Sequence, residues 1–543
     1  MSRIKSSSQH TFSVAPRADI PRSSFRRNMN YKTTMNAGYL VPVFVDEVLP
    51  GDTFNLKLTS FARILSPLKF PILDNLYLDF HFFFIPTRLV YADYEKFFGS
   101  SKGREGNWEY DDSHLMPNIK APEGGFPIGS IADYFGIPTG VDNIKVNALP
   151  FRAYNRIIAD WFLPSSYGLD NPECKVDSTD DDWALYPLRK RLKRCDAFTS
   201  ALPEPQRGPG VTIPLGDIAP VYGNGRTISF TDGSDEPRML VERSNGGSEA
   251  FLSKTAQTDL GEVVSLTQPS NGYKGVGLVQ NGDSGLVTDL SSATAIPITS
   301  LRQAFQLQRL LERDERSGVQ YVSTTLAHFG IRSPDARIQR TEYLGGGSTP
   351  IQIHSVANTA GGENRDQASL AAFGLSASSN VGFVKSFTEH GYVFALASIR
   401  ADVTYQQGIP KMFDRFARFD FYWPVFAHLG EEVIKNKSIY AQGTEEDDEV
   451  FGYQERYYDY RYGVSKITGQ LRSSFDQSLD SWHLAQSFNN CPRLNSEFLE
   501  IDVPMSRVKA VTDAPDFLYD SLIQLNCVRP MPLFGVPGLV DHF

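Results

Sequence analysis

Leu76-Tyr77-Leu78-Asp79-Phe80-His81-Phe82-Phe83 decides how this chain reads: it alternates with period two, then turns apolar on both faces. Period-two alternation marks a strand with one buried face, and an apolar run bounded by turns marks one buried on both. Upstream, Thr53-Phe54-Asn55-Leu56-Lys57-Leu58 alternates in the same way, and Pro50-Gly51 supplies a turn before it. Far downstream, residues 392–405 are nearly continuous in apolar side chains before they alternate, and residues 497–503 read as another strand. The 37 Phe and 24 Tyr against 8 Met favour β structure with large contact surfaces.

Long excursions separate these strands. Residues 87–145 are rich in Gly and Pro, with a short helix expected over 93–98. Over 148–162, Phe151, Tyr154, Ile158 and Trp161 recur at helical spacing, with Pro150 placed in the first turn. A second helix is expected from Thr299 or Ser300 as its cap. Leu301, Ala304, Phe305, Gln308 and Leu311 share one face, and Arg302, Arg309 and Arg313 solvate another. Residues 345–347, all Gly, read as a flexible break. Early strands, helix-bearing excursions and late strands are the layout of an all-β core. The expected fold is a two-sheet antiparallel sandwich of the jelly-roll type with long helix-containing loop insertions. Its parts divide at 1–35 (a basic arm), 36–221 (the first half), 222–295 (an insertion), 296–528 (the second half) and 529–543 (a Pro-rich extended arm).

A net charge of −10 confines any nucleic-acid contact to local patches. Residues 1–35 carry Arg3, Lys5, Arg17, Arg22, Arg26, Arg27 and Lys32 against one acid, Asp19, interleaved with Phe12, Phe25 and Tyr31. Cations on phosphates and rings on unpaired bases are how single strands are held without sequence preference. Arg3, Lys5, Arg17, Arg22, Arg26 and Arg27 are therefore the candidate nucleic-acid contacts; a solvated tail is the other reading. Arg189-Lys190-Arg191-Leu192-Lys193-Arg194 reads as a wet face on a short helix, or as the partner of acidic neighbours. Residues 222–295 are crowded with Gly, Ser, Asn and Thr, lack Trp and Cys, and hold five Lys/Arg against nine Asp/Glu. That composition suits short strands and exposed turns, and exposed loops on a rigid scaffold are where binding residues tend to sit.

The search for chemistry ends empty. No HExxH, GxSxG, Walker A or GxGxxG pattern occurs, and Glu389-His390 and Asp541-His542 are the only carboxylates directly beside a histidine. Residues 445–449 are consecutive acids without the ligand spacing of a calcium loop. Cys174, Cys195, Cys491 and Cys527 are widely spaced and read as buried free thiols in a reducing compartment. No catalytic residue, metal or cofactor is expected. Met1 to His10 is polar and basic, and the longest apolar runs fall far short of the ~20 residues of a membrane span, so a soluble chain without a leader is expected.

Specific segments then become recognisable. Arg22-Ser23-Ser24-Phe25-Arg26, Phe82-Phe83-Phe84-Ile85-Pro86-Thr87-Arg88-Leu89 and Leu149-Pro150-Phe151-Arg152-Ala153-Tyr154-Asn155 come first. Phe198-Thr199-Ser200-Ala201-Leu202-Pro203-Glu204-Pro205-Gln206, Leu301-Arg302-Gln303-Ala304-Phe305 and Ser333-Pro334-Asp335-Ala336-Arg337 follow. The late ones are Ser386-Phe387-Thr388-Glu389-His390-Gly391, Arg400-Ala401-Asp402-Val403-Thr404-Tyr405-Gln406-Gln407-Gly408, Phe451-Gly452-Tyr453-Gln454-Glu455-Arg456 and Arg529-Pro530-Met531-Pro532. In this order they resemble the major capsid proteins of the Microviridae, gokushovirus branch; residues 222–295 share with them an insertion but not its sequence. The resemblance implies a viral jelly-roll subunit of a small T=1 icosahedral shell around circular single-stranded DNA. It further implies assembly in the bacterial cytoplasm with an internal scaffolding protein, minor virion proteins as partners, and an insertion that meets a host receptor. Tyr222, Arg226, Arg238, Arg243, Tyr273 and Lys274 are the candidate attachment residues within it. The competing expectation is a carbohydrate-binding or carbohydrate-active jelly roll, with aromatic clefts and paired carboxylates.

Overall fold

In the computed structural model, residues 21–97, 116–163, 172–211 and 298–534 are described, except 319, 333, 336–338 and 360–366, together with short strand pairs between 221 and 288. Eight strands build the core: β1 (Ser23–Met35), β2 (Val41–Val48), β3 (Thr53–Ile64) and β4 (Leu76–Pro86) from the first half, then β5 (Glu342–Ala357), β6 (Leu370–Ser386), β7 (Gly391–Ala401) and β8 (Phe517–Arg529). They pair antiparallel in the order β1-β8-β3-β6-β5-β4-β7-β2. Two four-stranded halves, β1-β8-β3-β6 and β5-β4-β7-β2, are joined through the β5–β6 pairing, and this is a jelly roll. The two edge strands almost meet. Arg27 of β1 grips Asp46 of β2 through both terminal guanidinium nitrogens, with Nη2 to Oδ1 at 3.1 Å. Arg529, at the end of β8, donates from Nη2 to the Glu47 carbonyl at 2.7 Å. The sheet is thereby nearly closed into a barrel, which protects both edges from pairing with foreign strands.

Alternation sets the inner surface. Phe54, Leu56, Leu58, Ala62 and Ile64 of β3 and Phe517, Tyr519, Ile523, Leu525 and Cys527 of β8 point into one core with Leu76, Leu78, Phe80 and Phe82 of β4. The buried pattern of β7 is continuous because its second face is covered too. There Phe83, Ile85, Tyr392, Phe394 and Leu396 pack on Leu149, Phe151, Tyr154 and Ile157 of the helix Leu149–Ile157. Each such side chain contributes about 1.5–3 kcal/mol of burial. Pro150 sits in the helix's first turn, and the helix loosens into a π turn at Ile158–Phe162. The expected short helix near 93–98 is present as Tyr94–Phe97.

Several sequence expectations are corrected. The arm ends sooner than residue 35: β1 is paired along its whole length with β8, because Phe25 and Tyr31 pack against the core and Met35 is inside it. Residues 345–347 are no break but part of β5, where Tyr343 and Gly345 flank a bulge. Gly is required there by close approach, since a Cβ on Gly346 would stand 2.3 Å from the Phe80 carbonyl oxygen. Gly346→Ala is expected to cost about 1–3 kcal/mol, the usual penalty of overpacking, read as a lower melting temperature of the soluble subunit. An unchanged melting temperature would show that β4 yields freely. Residues 497–503 are not a strand: Asn495 caps the one-turn helix Ser496–Leu499, its Oδ1 accepting from the Phe498 amide at 3.0 Å. Helix Ile298–Ser317 begins ahead of both expected caps, Thr299 and Ser300. Of the four free cysteines only Cys527 is buried, and Cys195 is exposed.

The basic run 189–194 is extended, not helical, and bridges Tyr39 through Lys190 and Glu500 through Leu192. Its acidic-partner reading fits instead. Arg191 and Arg400 converge on Asp79, and Arg400 lies over the Tyr77 ring at 4.2 Å. Burial acts to raise the Asp79 carboxyl, but the Ser348 hydroxyl and the two guanidiniums overcome it and hold it below the ordinary range. Lys193 lies 4.1 Å over the Phe498 ring and donates to Gln486 Oε1 at 2.9 Å; burial pushes its ammonium down to about 8.

The chain divides into two compact units, one of residues 1–207 with 312–543 and one of residues 208–311. Within the second, strand pairs nest one inside another: Val221–Gly223 with Leu286–Thr288, Phe230–Thr231 with Gly277–Leu278, and Leu240–Val241 with Ala250–Phe251.

Candidate nucleic-acid face and surface insertion

The half-sheet β1-β8-β3-β6 has its inner side in the core and its outer side in solvent, as antiparallel sheets commonly do. Register places the outer side chains in rows. Arg26, Asn526 and Asn55 form one, followed by Asn28, Gln524 and Lys57, then Asn30, Leu522 and Thr59. Lys32, Asp520 and Phe61 come next, and Thr34, Leu518 and Arg63 last. The cations Arg26, Lys32, Lys57 and Arg63 thus share a face with one carboxylate, Asp520, and with a field of side-chain amides. Exposed rings complete it: Phe61 is 44% and Phe373 45% exposed. Phe373 stacks on His354 across the β5–β6 pairing, ring centres 5.3 Å apart. Cations for phosphates, amides for base edges and flat rings for stacking are the parts of a surface for unpaired nucleotides.

Of the predicted contact residues, Arg26 lies on this face. Arg22 is exposed just before β1, its Nη2 donating to the Thr53 hydroxyl at 2.6 Å. Arg27 points the other way and is engaged by Asp46. Arg3, Lys5 and Arg17 lie outside the described residues. Sequence reading missed Lys57, Phe61 and Arg63, although the alternation of β3 puts all three on its polar side. It also missed His354 and Phe373, which come from strands it did not see. In the insertion, Tyr222 falls in the Val221–Gly223 strand, and Arg226, Arg238, Arg243, Tyr273 and Lys274 lie outside the described residues.

Elsewhere, acidic groups among the described residues are engaged in structural pairs. Glu389 accepts from Arg88 Nε at 2.7 Å. In the acidic run, hydrogen bonds from Lys435 and Lys437 bring Asp448 down to about 2. Among the described residues no three His, Cys, Asp or Glu side chains gather to hold a metal ion. Among them, too, no helix is long and apolar enough to cross a membrane.

A jelly roll with helix-bearing loops is an architecture of viral shell subunits, and comparison with known proteins puts the chain in that class. Residues 13–539 match the family described as Capsid protein (F protein), and the chain belongs to that family of Microviridae phage capsid proteins. It is 43% identical to the capsid protein VP1 of Bdellovibrio phage phiMH2K, over 98% of both chains. It is 39% identical to VP1 of Chlamydia phage 1, over 99% of each. With VP1 of Spiroplasma virus 4 the identity is 36%, over 98% of this chain and 97% of that one. The chain is thus a structural protein of the virion that assembles with other subunits into a shell, and not an enzyme. The carbohydrate-active alternative falls with that.

Proposed function

We propose that this chain is the major subunit of a small icosahedral shell enclosing a single-stranded DNA genome. The outer face of β1-β8-β3-β6 and the arm that leads into it turn toward that genome. The supporting observation is the coincidence, on one exposed sheet face of a protein of net charge −10, of Arg26, Lys32, Lys57 and Arg63 with amides and stacked rings. A solvated face would need neither the excess of one sign nor the rings. Arg22 and Arg26 carry the phosphate contacts together with Arg3, Lys5 and Arg17. Arg27 serves the barrel seam. The insertion is the host-attachment element, and assembly proceeds in the bacterial cytoplasm on an internal scaffolding protein, with minor virion proteins joining the shell.

Genome retention tests this. Arg22→Ala combined with Arg26→Ala should leave shell dimensions unchanged by electron microscopy. DNA release from the particles should begin at lower salt. For the free subunit on a single-stranded oligonucleotide, the slope of log affinity against log salt should shrink by about 0.7 per lost phosphate contact. Unchanged DNA content with an unchanged slope would remove these two residues from the interface.

A further inference from the structure

We propose that the ridge formed by residues 409–429 is a contact by which one copy of this chain packs on a second copy. The inference rests on the shell role and names the surface that carries it. Phe413, Phe416, Phe419, Phe421, Val425 and Leu429 are 64, 87, 59, 52, 82 and 54% exposed. A fully buried aromatic ring covers ~150–250 Å², so these six side chains alone expose on the order of 600 Å². That is the upper end of the largest apolar patch on an ordinary monomer, roughly 300–600 Å². With its rim, it approaches the ~800 Å² that each partner buries in a standard interface.

The ridge is held rigid from behind. Three tight turns, Lys411–Phe413, Arg418–Asp420 and Pro424–Phe426, follow one another. The Asp420 carboxylate accepts from the amides of Phe416 and Ala417 at 2.9 and 2.7 Å. Lys437 holds Asp414 at 2.7 Å. Arg415 binds Asp459 and lies 4.6 Å over the Tyr460 ring, while the Trp423 indole donates to the Arg418 carbonyl at 3.0 Å. The rings of Phe419 and Phe426 stand 5.9 Å apart, edge to face. The backbone that presents these side chains is therefore ordered already, and docking pays little further entropy.

Charge selects the occupant. Lys411, Asp414 and Arg415 are paired with Glu432, Lys437 and Asp459, and the two other charges, Arg418 and Asp420, are of opposite sign, so the ridge offers neither a cationic surface to phosphates nor an acidic one to a basic partner. What remains is a broad, apolar, preformed surface, the composition of permanent contacts between like subunits. A shell subunit must bury such surface against its own copies in every particle.

Hydroxyl-radical footprinting decides it. In dissociated wild-type subunits Phe413, Phe416 and Phe419 should be labelled readily, and in virions and DNA-free shells they should be protected at least tenfold. Labelling that persists in virions overturns the proposal, as does protection confined to DNA-filled particles, which would assign the cover to the genome. In shells assembled from mixed light and heavy isotope copies, cross-links from the ridge should join light to heavy chains; links made only to another virion protein overturn it. The Phe416→Asp, Phe419→Asp variant should stay soluble with a wild-type melting temperature yet form no closed shells. Normal shells from it would refute the assignment. Wild-type chain that forms no shells under any condition would instead sink the shell reading.

Discussion

Arg152→Ala is expected to remove nearly all soluble, folded subunit. Arg152 is 1% exposed and sits on the core-facing helix Leu149–Ile157. Its Nε and Nη2 meet the two Asp181 oxygens at 2.7 Å each, and neither side chain of that pair is solvent-accessible. The remaining guanidinium hydrogens go to the carbonyls of Val90, Asp177 and Thr179 at 3.2, 2.6 and 2.9 Å. One side chain thus ties β4's exit, the helix and the loop behind it. Breaking a buried pair by deleting one partner costs about 3–5 kcal/mol, and Lys175, 3.5 Å from Asp181, does not replace the hydrogen bonds that Arg152 makes. Whole domains hold only about 5–15 kcal/mol in reserve. The melting temperature and soluble yield at neutral pH measure the effect; a variant that melts within a degree or two of wild type would contradict it.

Acid should weaken the same link. Burial acts to raise the Asp181 carboxyl, but hydrogen bonds from Arg152 and Tyr186 and the Arg152 charge outweigh it and leave it below the ordinary range. A carboxyl with a lowered folded pKa stabilises fully above its unfolded value, roughly 3.9. That stability is lost as pH falls through the folded one. The contribution of Asp181 therefore persists at neutral pH and fades below about pH 4.

Strands with large side chains were legible; strands with small ones were not. β3 and β4 announce themselves because Phe54, Leu56, Leu58, Phe80 and Phe82 contrast with polar neighbours. β6 gives no apolar alternation, since its inner positions are Ala372, Gly374, Ser376 and Ser378. They are small for a spatial reason: a Cβ on Gly374 would lie 2.6 Å from Ile64 Cδ1. Ser378 bonds Ser60 across the buried β3–β6 pairing at 2.6 Å. β8 hides because Leu518 and Leu522 lie outside and Ser521 inside, which erases the hydrophobic contrast. β1 is disguised by arginines on both faces, one of which closes the barrel. The candidate DNA face was half legible, through Arg26. Its other half depends on register between strands far apart in sequence, which no local pattern carries.

Replacing residues 224–285 with a short Gly/Ser turn should leave subunits that melt as wild type and still close into shells, while adsorption to host cells falls by orders of magnitude. The nested pairing explains why the cut is tolerable. Val221–Gly223 and Leu286–Thr288 pair antiparallel, with Gly223 opposite Leu286, so the two cut ends already stand at hairpin distance. A two- to four-residue turn spans that gap without disturbing the base pair of strands. The entropic cost of loop closure falls by about 0.6 kcal/mol per halving of length, so on this count shortening the segment does not lower stability. The segment carries no Trp or Cys and an excess of acids, and it belongs to the compact unit of residues 208–311. None of the strands β1 to β8 draws a residue from it. Melting curves, electron microscopy and cell-binding counts on the same preparation separate the outcomes. Trimmed subunits that melt normally but fail to close would make the segment a stitch between neighbours. Trimmed shells that adsorb like wild type would place host recognition elsewhere on the particle.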